Sequence, residues 1–167
     1  MTKQRITLER TYQTSLANLW QLWTTKEGVE SWWGPEGFRV EVVRIDVRVG
    51  GELAYQMIAD APEMVAFMKA NNMPPTQDAH LHYTEVSRHE RLAYLHAADF
   101  IPNVPAYDVA TTVEFRAAGD TVHLALTFDP MHDDLWSQRQ KQGWESELGK
   151  LGKLLAAQGT APAYDRG

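Results

Sequence analysis

The chain has 167 residues, with 16 basic against 22 acidic side chains, a formal charge of −6, 44% apolar residues and no cysteine. That length suits one domain, which buries about 70% of its unfolded surface and needs no disulfide or metal to hold together. The missing cysteines exclude thiolate zinc sites, iron–sulfur clusters and thiol nucleophiles, and the negative charge without a Lys/Arg run opposes binding to nucleic acid.

The polar start, Met1-Thr-Lys-Gln-Arg-Ile, lacks the apolar core of a secretory signal, so a cytoplasmic protein is expected. Residues 5–13 then alternate with a period of two, Ile6, Leu8, Arg10 and Tyr12 sharing one side, which predicts a strand. Ser15 is a good N-cap, and Leu16, Leu19, Trp20 and Trp23 follow at helical spacing. Thr24-x-x-Glu27 has the form of a capping box, so a second short helix is expected, stopped by Trp32-Trp33-Gly34-Pro35. From 38 to 55 β-branched residues dominate, and Gly50-Gly51 marks a hairpin turn or bulge.

A helical insert is predicted over 60–72. Asp60 and Glu63 are its expected caps, Pro62 opens it, Asn71-Asn72 closes it, and Met64, Phe67 and Met68 form one stripe. Two strand pairs follow, 79–87 with 91–100 and 107–116 with 121–128, each joined by a tight turn, so an antiparallel meander is expected. The last element is an amphipathic helix from about 133 to 156, capped by Asp133 or Asp134, with Trp144, Leu148, Leu151 and Leu155 inward. No stretch nears the roughly 18 apolar residues of a membrane span. Residues 1–158 thus read as one α+β domain with an insert at 60–76, and 159–167 as a frayed tail.

Several marks fall along this order: Leu19-Trp20, Thr24 to Glu27 with Trp32-Trp33-Gly34-Pro35, Asp46-x-Arg48-x-Gly50-Gly51, Tyr83-x-Glu85-Val86 before Glu90-Arg91-Leu92, and Gly143-Trp144 with Leu148. Together they resemble the START/Bet v 1-like superfamily and, within it, the family named after the C-terminal domain of the Hsp90 ATPase activator homologue. The resemblance implies a helix-grip fold, a curved antiparallel sheet wrapped around the long last helix, and a binding scaffold without a shared catalytic triad. It also implies, through the name-giving relative, contact with a chaperone as one reading.

The candidate chemistry is sparse. There is no Gly-rich phosphate loop, no Gly-x-Ser-x-Gly and no His-Glu-x-x-His. His80-x-His82 with His96 has the residue types of a metal site. A three-residue turn sets His82 opposite His96, whereas a four-residue turn sets Leu81 there, and the resemblance implies the longer turn. No carboxylate is placed to complete the set, so no metal and no cofactor are expected. His96 and Asp99 are the candidates for moving a proton, because a carboxylate in an apolar pocket titrates nearer neutrality. Asp108 resembles Asp99 as a loop-rim residue, and Asp46 with Arg48 is placed to tie down the glycine hairpin.

The aromatics carry the main expectation. Trp20 and Trp23 are read as helix-to-sheet packing, and Trp136 as a cover for the first turn of the last helix. A mostly apolar hollow with a few polar tips fits a small-molecule site. Its expected lining is Trp32, Trp33, Tyr55, Met57, Met64, Phe67, Tyr83, Tyr94, His96, Phe128, Trp144 and Leu148. The Met64, Phe67, Met68 and Met73 set reads first as a helix docked on the sheet edge, second as a lid and third as a homodimer contact. The functional expectation is binding of a small, largely apolar molecule. A cyclase/aromatase- or hydrolase-like enzyme using His96 or Asp99 is the first alternative, and a chaperone-interacting module the second.

Overall fold

Strand β1 (Ile6–Gln13) leads into helix α1 (Leu16–Thr24), whose first turn is capped by the Ser15 hydroxyl accepting the Asn18 N–H at 3.0 Å. The cap of α2 (Lys26–Glu30) is Thr25, not the expected Thr24. Thr25 Oγ1 accepts the Gly28 N–H at 3.0 Å, while Thr24 turns its hydroxyl back to the Trp20 carbonyl at 2.7 Å. In this computed structural model, residues 4–99, 101 and 103–159 are described. The expected tail beyond Gly159, Phe100 at the end of the expected strand 91–100, and Pro102 after it lie outside the described residues.

Strands β2 (Phe38–Ile45) and β3 (Glu52–Ala59) form a hairpin whose turn holds Asp46 and Arg48 off the strand. Arg48 Nε donates to Asp46 Oδ2 at 2.7 Å, and the Gly51 N–H donates to the Arg48 carbonyl at 2.8 Å. A Cβ on Gly51 would collide with the Asp46 carbonyl oxygen, so only glycine fits this tuck.

Helix α3 (Pro62–Ala70) starts at Ala61 without a side-chain cap, correcting the expected role of Asp60 and Glu63. Its entry is held by backbone instead, the Asp60 and Ala61 N–H groups donating to the Gly37 carbonyl at 2.8 and 3.2 Å. The expected stripe divides. Met64 packs on Gly37 and Met68 is buried, whereas Phe67 is 56% exposed.

Strands β4 (Thr76–Ser87), β5 (Arg91–Ala98), β6 (Tyr107–Ala118) and β7 (Thr121–Phe128) complete the meander. The described residues form one antiparallel seven-stranded sheet, ordered β1-β7-β6-β5-β4-β3-β2, curled into a half-barrel. Helix α4 (Asp134–Gly159) lies in its concave face. Asp133 is the cap, its Oδ1 accepting the Trp136 N–H at 2.8 Å. Leu148, Leu151 and Leu155 are buried, and Tyr12 of β1 donates its hydroxyl to the Leu148 carbonyl at 3.0 Å. Among the described residues no helix is long and apolar enough to cross a membrane.

The centre of the core is aromatic. Trp23 packs edge-on to Trp32 at 4.7 Å and Trp33 at 5.3 Å, and stacks on Trp144 at 6.1 Å. It also meets Phe115 of β6 at 6.0 Å, so it packs helix to sheet as expected while serving as the hub of an indole cluster. Trp32 is buried and donates Nε1–H to the Leu22 carbonyl at 2.8 Å. Trp32→Ala should cost about 3–5 kcal/mol in urea unfolding, and Phe67→Ala less than about 0.5 kcal/mol. Equal losses from the two substitutions would contradict this division of the aromatics.

Candidate functional site: a cavity between sheet and last helix

Side chains on the concave face of β3–β6 alternate inward, and α4 presents a face at spacing of three and four. Where the two meet beyond the leucine stripe they do not close. Tyr55, Met57, Leu81, Tyr94, His96, Ala98, Val109 and Thr111 from the sheet, with Trp33 and Met131, enclose a cavity of about 250 Å³. Its other wall is Trp136, Arg139, Gln140, Gly143, Trp144 and Glu147 of α4. At 1.5 Å per residue this wall runs about 16 Å along the helix. Gly143 sits at its middle, and a Cβ placed there meets nothing within 4 Å.

A larger groove of about 450 Å³ opens elsewhere, lined by Glu9, Glu85, Glu114, Arg91, Arg116 and His123 among others. Most of its charged groups pair with one another: Arg91 with Glu85 at 2.9 Å and Glu114 at 3.3 Å, and His123 with Glu9 at 2.9 Å. Such exposed pairs are ordinary surface structure. The cavity differs, because two buried polar atoms on its wall, Tyr94 Oη and Gln140 Oε1, make no well-aligned hydrogen bond among the described residues, the Thr111 hydroxyl being the polar neighbour of Tyr94. Leaving such atoms unpaired costs roughly 1–3 kcal/mol each.

Three further polar groups shape the interior. Glu147 Oε1 accepts the Gly34 N–H at 2.8 Å, and burial pushes its carboxyl up to about 7. The nearby Lys150 offsets part of that rise but spends its ammonium on the Gly34 and Phe38 carbonyls at 2.9 and 3.2 Å. His96 is pushed down to about 4 by burial, against the opposing pull of the Asp99 carboxylate. Burial likewise holds the Tyr55 and Tyr94 phenols above their ordinary range, so both stay neutral hydroxyls.

Of the residues expected to line a pocket, Trp33, Tyr55, Met57, Tyr94, His96 and Trp144 come together here. Trp32, Phe128, Leu148 and Tyr83 lie in the solid core, and Met64 and Phe67 sit on α3, away from this wall. Asp99 and Asp108 are exposed and outside it. Gln140, Gly143 and Glu147 are absent from the expected lining, although they succeed one another at helical spacings of three and four. Thr111 was hidden by its place in a β-branched strand.

The register separates the histidines. The turn is the three-residue one, Ser87 pairing with Arg91, not the longer one expected, but a bulge at Thr84 shifts the ladder so that Leu81 is opposite His96 and His82 opposite Leu95; His96 faces the cavity while His80 and His82 face the other side of the sheet. His82 instead approaches Glu52 at 3.5 Å.

A curled antiparallel sheet closed on a long C-terminal helix, with a hollow between them, defines a helix-grip α+β domain. The family model described as activator of Hsp90 ATPase homolog 1-like protein matches residues 13–156, and the chain belongs to this family. Solved structures share the fold. A protein of Chromobacterium violaceum is 22% identical with a TM-score of 0.74, over 90% of this chain and 96% of its own. The AHSA1 protein of Silicibacter pomeroyi is 20% identical with a TM-score of 0.73, over 93% and 99%. The AHSA1-like protein of Aeromonas hydrophila is 18% identical with a TM-score of 0.72, over 93% and 94%. No curated protein matches the chain significantly in sequence.

The two shifted cavity groups oppose each other in pH dependence. Between about pH 4.5 and 7 folded Glu147 keeps a proton that the unfolded chain releases, so its contribution to stability falls as pH rises. Between about pH 4 and 6.5 the unfolded chain protonates His96 and the folded chain does not, so that contribution rises with pH. In urea titrations Glu147→Gln should therefore gain roughly 2–3 kcal/mol relative to the parent as pH rises through this window. His96→Asn should gain a similar amount as pH falls through its own window. Profiles parallel to the parent would contradict both assignments.

Proposed function

We propose that this protein binds a small, largely apolar molecule in the cavity between the sheet and α4. The observation that carries the reading is the pair of buried polar atoms without a well-aligned hydrogen bond, Tyr94 Oη and Gln140 Oε1, in an otherwise aromatic wall. A few placed polar groups in an apolar hollow are the usual make-up of a small-molecule site, and 250 Å³ suits a compact ligand. The family fold is compatible with that role. Trp32, Tyr83, Phe128 and Leu148 support the wall from behind, and Met64 and Phe67 belong to a helix docked elsewhere.

The enzymatic alternative through His96 or Asp99 finds less support, since Asp99 is exposed and His96 is held neutral. A chaperone contact rests on the family name alone, and a homodimer on the exposed Phe67, Val65 and Met73. A cytoplasmic location remains part of the same reading, without metal, cofactor, nucleic acid or membrane.

Trp33, Trp136 and Trp144 stand in the wall, so a ligand should quench indole fluorescence and raise the melting temperature. Gly143→Ala should stabilise the helix by about 0.5–1 kcal/mol, because its Cβ enters open space. Gly143→Leu should fill the hollow and abolish both ligand effects. Absence of quenching and stabilisation across a panel of apolar compounds, or their persistence in Gly143→Leu, would refute the reading.

A further inference from the structure

The cavity is unevenly polar, and its surplus is in acceptors. Gln140 Oε1 is buried and unpaired. Glu147 uses one carboxylate oxygen on the Gly34 N–H and makes no ion pair within 4 Å among the described residues. Its nearest cation, Lys150, is turned to two backbone carbonyls. Aromatic rings line the cavity with this acid: Trp33 meets Trp144 at 5.7 Å and Tyr55 at 6.3 Å, and Trp144 is one helical turn from Glu147.

A carboxylate in a cavity walled by aromatic rings selects for a hydrogen-bond-donating cation. The mouth already displays the preference, since the exposed Arg139 guanidinium sits over the Trp136 ring at 4.9 Å. Arg139 is eight residues from Glu147, about 12 Å along α4, too far to neutralise it. The chain's charge of −6 favours approach of a cation over an anion.

We propose, building on the cavity-binding reading above, that the ligand carries an organic ammonium group. It sits between the Glu147 carboxylate and the faces of Trp33, Trp144 and Tyr55, with its apolar body running along α4 past Gly143. The ammonium donates to the carboxylate oxygen that the Gly34 N–H leaves open, while Gln140, seven residues and about 10.5 Å farther along α4, faces the other end of the ligand. A neutral alcohol can donate to that oxygen but draws nothing from the ring faces. The groups around Glu147 are Lys150 on its own helix, the Gly34 N–H, and the Tyr55 and Tyr94 phenols from the sheet, none of them an acid that would keep it protonated above neutral pH.

The test is a matched series, 2-phenylethylammonium, 2-phenylethanol, ethylbenzene and 3-phenylpropionate, titrated into the full chain at pH 8 with indole fluorescence and melting temperature as readouts. The ammonium compound should bind at least tenfold tighter than the alcohol, and the carboxylate weakest. Glu147→Gln keeps an oxygen for the Gly34 N–H, so it should fold, and it should lose the tenfold preference for the ammonium compound over the alcohol. Binding of the alcohol without an ammonium preference, or a preference unchanged in Glu147→Gln, overturns the ammonium assignment and leaves the cavity reading standing. Binding of no member by either protein overturns both.

Discussion

The indole cluster around Trp23 is the contact on which the remaining architecture depends. It gathers four segments that have no other common meeting point: α1 through Trp23, the end of α2 through Trp32 and Trp33, α4 through Trp144, and β6 through Phe115. Each edge-to-face pair adds roughly 0.5–1.5 kcal/mol beyond the area it buries. The cluster also tolerates a defect, since Trp23 Nε1 is buried without a partner among the described residues. Aromatic packing outweighs that one unmade hydrogen bond. Trp33 and Trp144 have one side in this cluster and the other on the cavity, so the wall of the hollow is as fixed as the core behind it.

A second set of contacts ties the floor of the cavity to the segment after α2. Glu147, Ser146 and Lys150 all bind backbone of residues 34–38: the Gly34 N–H, the Glu36 N–H, and the Gly34 and Phe38 carbonyls. Gly34 adopts φ +91°, a left-handed conformation that aims both its N–H and its carbonyl at α4. Burial of Glu147 raises its carboxyl to about 7, while the same tie, through the Gly34 N–H and Lys150, pulls the other way.

Much of the fold was legible in the sequence because its strands alternate cleanly and its turns are tight. The register opposite His96 was not legible, because the turn pairs Ser87 with Arg91, which alone would set His82 there, and a bulge at Thr84 shifts the ladder by one to bring Leu81 instead. Where the reading slipped, local signals competed. Thr24 and Thr25 are both plausible caps, and only the chain direction after α1 decides for Thr25. The Met64, Phe67 and Met68 stripe looked continuous, yet its helix rests on the Gly37 loop along one side and leaves Phe67 in solvent. The pocket was half legible. Large aromatics announce themselves, whereas Gln140, Gly143 and Glu147 resemble an ordinary solvated helix face until the sheet is seen to curl over them.

A hollow of this size bears on stability as well as recognition. At about 24 cal/mol per Å³, an apolar void of some 250 Å³ would cost roughly 6 kcal/mol if dry, comparable to the whole net stability of a small domain. The groups on its wall make it unlike a dry void, because Tyr94, Gln140, Thr111 and Glu147 offer the two to four partners that an ordered water or a ligand head group needs. A purely apolar occupant would recover dispersion contacts along Trp33, Trp144 and Met57 but leave those polar atoms unmatched, which costs about as much as it gains. An occupant with an apolar body and one polar end satisfies both halves of the cavity. Gly143 then has a physical role: with no side chain at the middle of the wall, the apolar body can reach from the open end near Arg139 to the polar floor at Glu147.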